Sequence, residues 1–375
     1  MTAPPCRWCA GATDVVLDLG HQPAADHFPL PTDPLPDPAF SLRMVLCRGC
    51  GLAQLAEDAT VPDEPRGVEP QALRNQAAAA VADLVGSGLL TPGQQVREFG
   101  SPHGGSWEQP LIEAGLSWRD GGHGAADVAI DVFGLMHAAD QCAAFTRRVA
   151  AVDPGGVLLV QFHTLAAIVE EGQWNALRHG HVAYYSVPAI TSMSADIGWA
   201  GVAVRTYPLY GGTVLLALRR GAAEADEVRA LRETELAAGV RTASRVVTLG
   251  DAATGSARAL TEFLEAERAA GRRVMGYGAA SRAVALLTTA RVEPELLAGV
   301  ADASPAKQGR ALPGSRVPVI TPEALIAARP DRVLVLVPDL VVEVRAALPE
   351  IEATGGRWAV AEPRPALVPK NRSSS

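Results

Sequence analysis

Over residues 1–56 the apolar positions come in two short bursts, Val15–Leu19 and Leu42–Leu46, set among prolines and without helical period. They predict two strands in a small head, the second running into Cys47, and a piece this size cannot build a core alone. An alanine-rich helical pattern covers Gln71–Val85, followed by a strand, Gln95–Phe99, that opens into Gly100-Ser-Pro-His-Gly104-Gly105. Asp127–Val132 and Gly156–Phe162 are continuous apolar runs of buried-strand length, separated by a helix over His137–Val152. Val202–Tyr207 and Thr213–Arg219 flank Tyr210-Gly211-Gly212 as an antiparallel pair. From Ala222 to Glu267 the pattern is charged and helical, with a break predicted near Val246–Ser256.

Strand and helix patterns then alternate. Arg273-Val-Met-Gly-Tyr-Gly-Ala reads as a strand and glycine turn, Ser281–Thr288 as a helix, and Ala298–Ala301, Val317–Ile320, Arg332–Val337 and Arg357–Val360 as further strands. This alternation predicts a parallel, Rossmann-like sheet. The fold class is therefore α/β, divided into a head (1–56), an α/β domain (70–220), a helical connection (221–266) and a C-terminal Rossmann-like domain (267–365), with a frayed tail over 364–375.

Composition narrows the partners. Across 375 residues, 33 Lys+Arg stand against 41 Asp+Glu, a formal charge of −8, and only Lys307 and Lys370 are lysines. No basic face is advertised, so nucleic acid is not an expected partner. The N-terminus lacks the basic start and apolar stretch of a secretory signal, and the strongest apolar run, Val333–Val337, stops at Pro338. A soluble, cytoplasmic protein without a membrane partner is expected; nothing in the sequence predicts its oligomeric state.

Four of the five cysteines fall as Cys6-x-x-Cys9 and Cys47-x-x-Cys50, with 37 residues between the pairs, while Cys142 stands alone. Each pair can form a knuckle presenting two thiolates to one tetrahedral Zn²⁺, and four thiolates leave no open position for water. A structural zinc is predicted; a redox pair and chance spacing are the alternatives.

Beyond spacing, Cys6-Arg-Trp-Cys9, Leu17-Asp-Leu-Gly20 and Cys47-Arg-Gly-Cys50-Gly-Leu-Ala-Gln-Leu55 resemble the zinc-binding head of the nucleotide-sugar C-methyltransferases of deoxysugar biosynthesis. Gly276-Tyr-Gly-Ala-Ala-Ser-Arg282, Asp302-Ala-Ser-Pro-Ala-Lys307-Gln308-Gly309-Arg310, Pro313-Gly314, Val317-Pro-Val-Ile320 and Pro363-Arg364 follow that family's order too. The resemblance implies a zinc head, a central methyltransferase-like Rossmann domain binding S-adenosylmethionine, and a Rossmann-like C-terminal domain that helps hold a dTDP-sugar. The chemistry it implies is deprotonation at carbon 3 of a 4-keto sugar and methyl transfer to the enolate.

The centre departs from that pattern. Glu98, Gly100 and Gly104 keep the Glu-x-Gly-x-x-x-Gly outline of the cofactor loop, yet Gly100 and Asp127 are only 27 positions apart, and a single βαβ unit takes ~30 or more. A contracted domain lacking at least one strand-helix unit is expected, with S-adenosylmethionine bound weakly or not at all. Where the family carries Tyr-x-Glu-His, this chain has Arg178, His179, Gly180 and His181; Asp63–Pro70 holds no tyrosine, Gln161 stands where a carboxylate is common, and Tyr210 replaces a histidine.

His181, with His179 as a second candidate, is then the base left for taking a proton beside a ketone. His103, His137 and His163 are cleft histidines expected to be structural. Gly276, Tyr277 and Gly278 could cradle a phosphate or merely permit tight packing; Arg282, Lys307 and Arg310 favour an anion, the diphosphate of a nucleotide sugar. Three functions stay open: a C-methyltransferase, an isomerase- or epimerase-type enzyme without a methyl donor, and a non-catalytic protein binding a nucleotide sugar or a partner enzyme.

Overall fold

Three sheets follow one another along the chain in the computed structural model, which describes residues 3–60, 69–102, 104–119 and 124–369. In the head, β1 (Thr13–Pro23), β2 (Ala39–Cys47) and β3 (Ala53–Leu55) form an antiparallel meander. The centre contributes β4 (Gln95–Gly100), β5 (Ser117–Trp118), β6 (Ala126–Val132), β7 (Val152–His163), β8 (Ala183–Tyr184), β9 (Trp199–Tyr207) and β10 (Thr213–Arg220). Of these, β8 leaves the central sheet and pairs with β3, so the head's edge is closed by a strand from the next domain.

The central sheet runs β5-β4-β6-β7-β10-β9, parallel from β5 to β7 and antiparallel beyond. Both faces are covered, which explains the unbroken apolar runs. Val128, Ile130 and Val132 of β6 pack toward helix Gln71–Gly86, while Ala129 faces the core that holds Phe145 and Met193. Between β4 and β6 the described residues place only helix Glu108–Glu113 and the two-residue β5, the short spacing that the sequence predicts.

The third sheet is built from β11 (Val274–Tyr277), β12 (Val300–Ala301), β13 (Val319–Ile320), β14 (Arg332–Val335), β15 (Arg357–Val360) and β16 (Ala366–Leu367), in the order β13-β12-β11-β14-β15-β16. All pairs are parallel except β15 with β16. The strand order reverses beside β11, where ligands of open α/β sheets bind.

Alternation along β2 splits the head between its neighbours. Leu42, Met44 and Leu46 join a core with Leu260, Leu264, Val284 and Leu287 of the C-terminal half, whereas Cys47 joins Cys6, Cys50 and Leu52 in the core with Phe145, Tyr185 and Met193. Trp8 stacks edge-on against Phe145 at 5.7 Å and donates from Nε1 to Asp196 at 2.8 Å.

Two sequence expectations are corrected. The connection is helical at Asp226–Ala237, Ala243–Val246 and Thr248–Ala269, so one break falls at Val247, at the edge of the predicted Val246–Ser256, and another precedes Ala243, while the rest of that range is continuous helix. Gly250 and Gly255 lie inside the long helix, where a Cβ at either would meet nothing within 4 Å, and Leu249, Ala253, Leu260 and Leu264 bury its other side. The helix expected over His137–Val152 begins at Gln141, where Asp140 accepts the Ala143 N–H at 2.9 Å, leaving His137 in a separate 3₁₀ turn.

Candidate functional site

The two cysteine knuckles share a geometry. In each, the residue after the second cysteine takes a left-handed backbone, Ala10 at φ 55° and Gly51 at φ 78°, which turns the chain back over the sulfurs. Cys6 and Cys50 Sγ lie 3.5 Å apart, Cys9 and Cys47 3.5 Å, and all four sulfurs fall within 4.8 Å of one another. A tetrahedral ion with Zn–S of about 2.3 Å sets its sulfurs about 3.8 Å apart, so the set fits one ion held by four thiolates. Cys142 is outside the cluster, its thiol directed at the Trp8 carbonyl at 3.0 Å.

A second constellation lies at the seam between the central and C-terminal domains. The turn Leu177–Val182 carries Arg178 and His181, both half-buried. Gly180 makes the turn at φ 81°, and its N–H donates to Asp58 at 2.6 Å. Arg178 Nε donates to His181 Nε2 at 2.8 Å, Nη2 reaches the same nitrogen, and Nη1 donates to Ser281 Oγ across the seam. The His181 ring meets His137 edge-on at 4.8 Å, and His137 is oriented by a 2.8 Å contact between Nδ1 and the Gly180 carbonyl. His179 turns the other way: it is 3% exposed, its Nε2 lies 3.3 Å from the Ser41 carbonyl, and burial lowers its pKa. The two histidines of the motif are thus on opposite sides of the turn. His103 and the 63–68 part of Asp63–Pro70 lie outside the described residues.

Arg282 follows Ser281 into the seam. Its Nε faces Glu362 Oε2 at 3.9 Å, beyond hydrogen-bond reach, and both atoms are buried without a hydrogen-bond partner among the described residues. Asp339 lies 3.9 Å from another guanidinium nitrogen, and burial raises the pKa of both carboxyls. His163 Nε2 is buried and unpartnered as well; its pKa is pushed down to about 3 by burial and by the charge of Arg282. The Tyr210 ring lies 6.2 Å from that of His163. Sequence reasoning missed Glu362, Asp339 and Asn175, whose amide reaches the Arg282 carbonyl at 3.3 Å. The signal available for Glu362 was its place directly before Pro363-Arg364.

The remaining anion candidates are engaged elsewhere. Lys307, 4% exposed, donates to the Ala279 carbonyl at 3.1 Å and sits 4.9 Å over the Phe28 ring; Arg310 donates to the Phe28 carbonyl at 2.8 Å. Both therefore fasten the head to the C-terminal domain. In the glycine turn, Gly278 N–H donates to Ala301 and Ala279 N–H to the Asp302 carboxylate, both at 2.8 Å. A Cβ on Gly276 would stand 2.8 Å from Val300 Cγ2, so close strand packing accounts for that glycine, while Tyr277 is a buried core residue.

At the end of β4, the Glu98 carboxylate accepts the Trp107 N–H at 2.8 Å and the Ser106 hydroxyl at 3.1 Å, and burial raises its pKa. Gly100 is bridged to Phe133, and Gly104 turns back on Ser101 at φ 96°. Beyond β5, Arg119 is bound to Gln95 and Ala125. Asp120, which follows Arg119 directly, lies outside the described residues.

Residues 208–363 match the family described as "C-methyltransferase C-terminal domain", and residues 6–63 match one described as "Putative zinc binding domain". The two ends of the chain thus match a C-methyltransferase C-terminal domain and a putative zinc-binding domain, the same two ends on which the resemblance read from the sequence rests. A particular relative is the C-methyltransferase NovU of Streptomyces niveus, 26% identical over 222 residues, which cover 58% of this chain and 53% of that protein. The chain thus spans about half the length of the curated relative it matches. Among solved structures, the 1,6-didemethyltoxoflavin-N1-methyltransferase of Burkholderia thailandensis is 14% identical at TM-score 0.30, over 40% of this chain and 80% of that one. The magnesium protoporphyrin IX methyltransferase of Synechocystis PCC 6803 is 17% identical at TM-score 0.29, over 39% and 83%. Among the described residues, no helix is long and apolar enough to cross a membrane.

Proposed function

We propose that the chain is a divergent relative of the S-adenosylmethionine-dependent sugar C-methyltransferases that binds a nucleotide-linked keto-deoxysugar at the seam and deprotonates it beside the ketone. The observation that carries this reading is the pairing of His181 with Arg178 at the mouth of helix Ser281–Thr289, between two domains of which the second matches the C-methyltransferase family. His181 takes the proton. The Ser281 end of that helix, with Arg178 and Arg282, offers positive potential to the diphosphate. The structural ion in the head is zinc, because an all-thiolate tetrahedron selects it over harder divalent ions.

S-adenosylmethionine would supply a methyl group to the enolate. Its loop outline is present at Glu98, Gly100 and Gly104, with the Glu98 carboxylate accepting the Trp107 N–H inside the loop. The short spacing between Gly100 and Asp127 supports weak binding of the cofactor or none. Calorimetric titration of the zinc-loaded protein tests this directly, and micromolar affinity would overturn it. The sugar reading is tested by thermal shift: a dTDP-linked 4-keto-6-deoxyhexose should raise the melting temperature, and equality with buffer would remove the ligand.

A further inference from the structure

Arg178 occupies the place of the family tyrosine, and its guanidinium joins the two sides of the seam: Nε and Nη2 on His181 Nε2, Nη1 on Ser281 Oγ. A guanidinium has only donors, so the lone pair in the first contact belongs to His181. The ring is therefore held neutral, with its own proton on Nδ1. The same contact covers the atom that must accept a proton from substrate. His181 can act only after the guanidinium leaves Nε2, and an oxygen gathering negative charge is the partner a guanidinium prefers to a neutral imidazole.

Resting on the keto-sugar reading above, we infer that Arg178 is a catalytic residue of this site, shifting its donors from His181 Nε2 to the substrate's carbonyl oxygen so that the base is uncovered and the enolate stabilised together. In the step, the C–H bond beside the ketone breaks and its proton passes to Nε2. The C–H electron pair becomes the C=C bond, and the carbonyl π pair settles on oxygen. His181 becomes imidazolium as the ketone becomes enolate, so charge balances without oxidant, reductant or methyl donor. The backbone is arranged for this exchange. Arg178 N–H donates to Tyr184 OH at 3.1 Å, Tyr184 OH donates to the Ala176 carbonyl at 3.2 Å, and His137 supports the His181 ring from the side. Both reacting groups thus sit on one anchored turn, while the long arginine side chain supplies the movement. A lysine would keep the charge but lose the planar fork that spans both partners.

The test follows solvent deuterium entering the carbon beside the ketone of a dTDP-linked 4-keto-6-deoxyhexose, by NMR, against an enzyme-free control. Wild type should exchange faster than the control, and His181→Gln should fall to the control rate. Arg178→Gln should lose about 10²–10³-fold in the turnover rate, the loss typical of one oxyanion donor, with Arg178→Lys between the two. The acid limb of the pH–rate profile should also move to higher pH in Arg178→Gln, because removing a neighbouring cation makes imidazolium easier to form. Melting temperatures of both variants check folding, and Arg178→Lys serves if Arg178→Gln does not fold. Wild-type exchange that persists undiminished in a folded Arg178 variant, or activity lost with the limb unmoved, overturns the role of Arg178. Absence of exchange in wild type overturns the keto-sugar reading itself, and this step with it.

Discussion

Replacing Arg148 by Met should cost the protein about 3–5 kcal/mol at pH 7, more than most single changes. Asp131 at the end of β6 is completely buried, and Arg148 Nε meets its Oδ2 at 2.5 Å. The other carboxylate oxygen accepts the Leu135 N–H at 2.9 Å and the Gly134 backbone also favours the ion, so only neutral backbone donors would remain to hold a buried negative charge. Burial already pushes the Asp131 pKa up while the arginine opposes it; without the guanidinium it should rise further. A carboxyl whose folded pKa is raised contributes stability below its unfolded pKa and loses it as pH rises through the folded value. The deficit of Arg148→Met should therefore shrink as pH is lowered from 7 to 5. Arg148→Met combined with Asp131→Asn removes both charges and should recover most of the loss. Urea unfolding of wild type, the single variant and the double variant at the two pH values measures each quantity. A single-variant loss below about 1 kcal/mol, or a deficit that does not change with pH, would refute the claim that this pair neutralises a buried charge. The consequence reaches the seam, because Asp131 anchors the turn Leu135–His137 whose histidine supports His181.

Cys47→Ser should abolish stoichiometric zinc by elemental analysis and lower the thermal midpoint, since metal affinity in such sites is folding free energy; unchanged metal content would contradict the assignment. Glu235, 4% exposed, accepts the Thr164 hydroxyl at 2.7 Å and the Val187 N–H at 2.6 Å with its pKa raised by burial, so it stabilises most below its unfolded pKa and less as pH rises through the folded one. Glu235→Gln should flatten that part of the stability–pH curve, and an unaltered slope in urea titrations would count against the burial argument. His163, with a folded pKa near about 3, gives stability that is whole above its unfolded value of ~6.5 and is lost as pH falls toward about 3, by up to ~1.4 kcal/mol per pH unit. His163→Gln should remove that acid-side loss, which unfolding midpoints between pH 4 and 7 will report.

Elements bonded within themselves or to near neighbours were legible in the sequence. Two Cys-x-x-Cys knuckles, the continuous apolar runs of β6 and β7 and the strand-helix alternation after Arg273 each carry their period or spacing locally, and the end-domain resemblance rested on the same short motifs. What a side chain does once it arrives depends on residues brought to it from other parts of the chain. Lys307 and Arg310 look like anion ligands in a loop, and only docking of the head brings Phe28 beneath them. Gly276 looks like a phosphate turn until Val300 stands against it. Arg178 is three residues from His181, but the contact that stretches its guanidinium across the seam is to Ser281, supplied by another domain. The Arg282, Glu362 and His163 group likewise draws on three distant segments, and its unmet polar atoms exist only because folding withdraws them from water together. Period and spacing are properties of the local chain, whereas desolvation and charge pairing belong to the packed whole, and here the packed whole determined which groups were left available for chemistry.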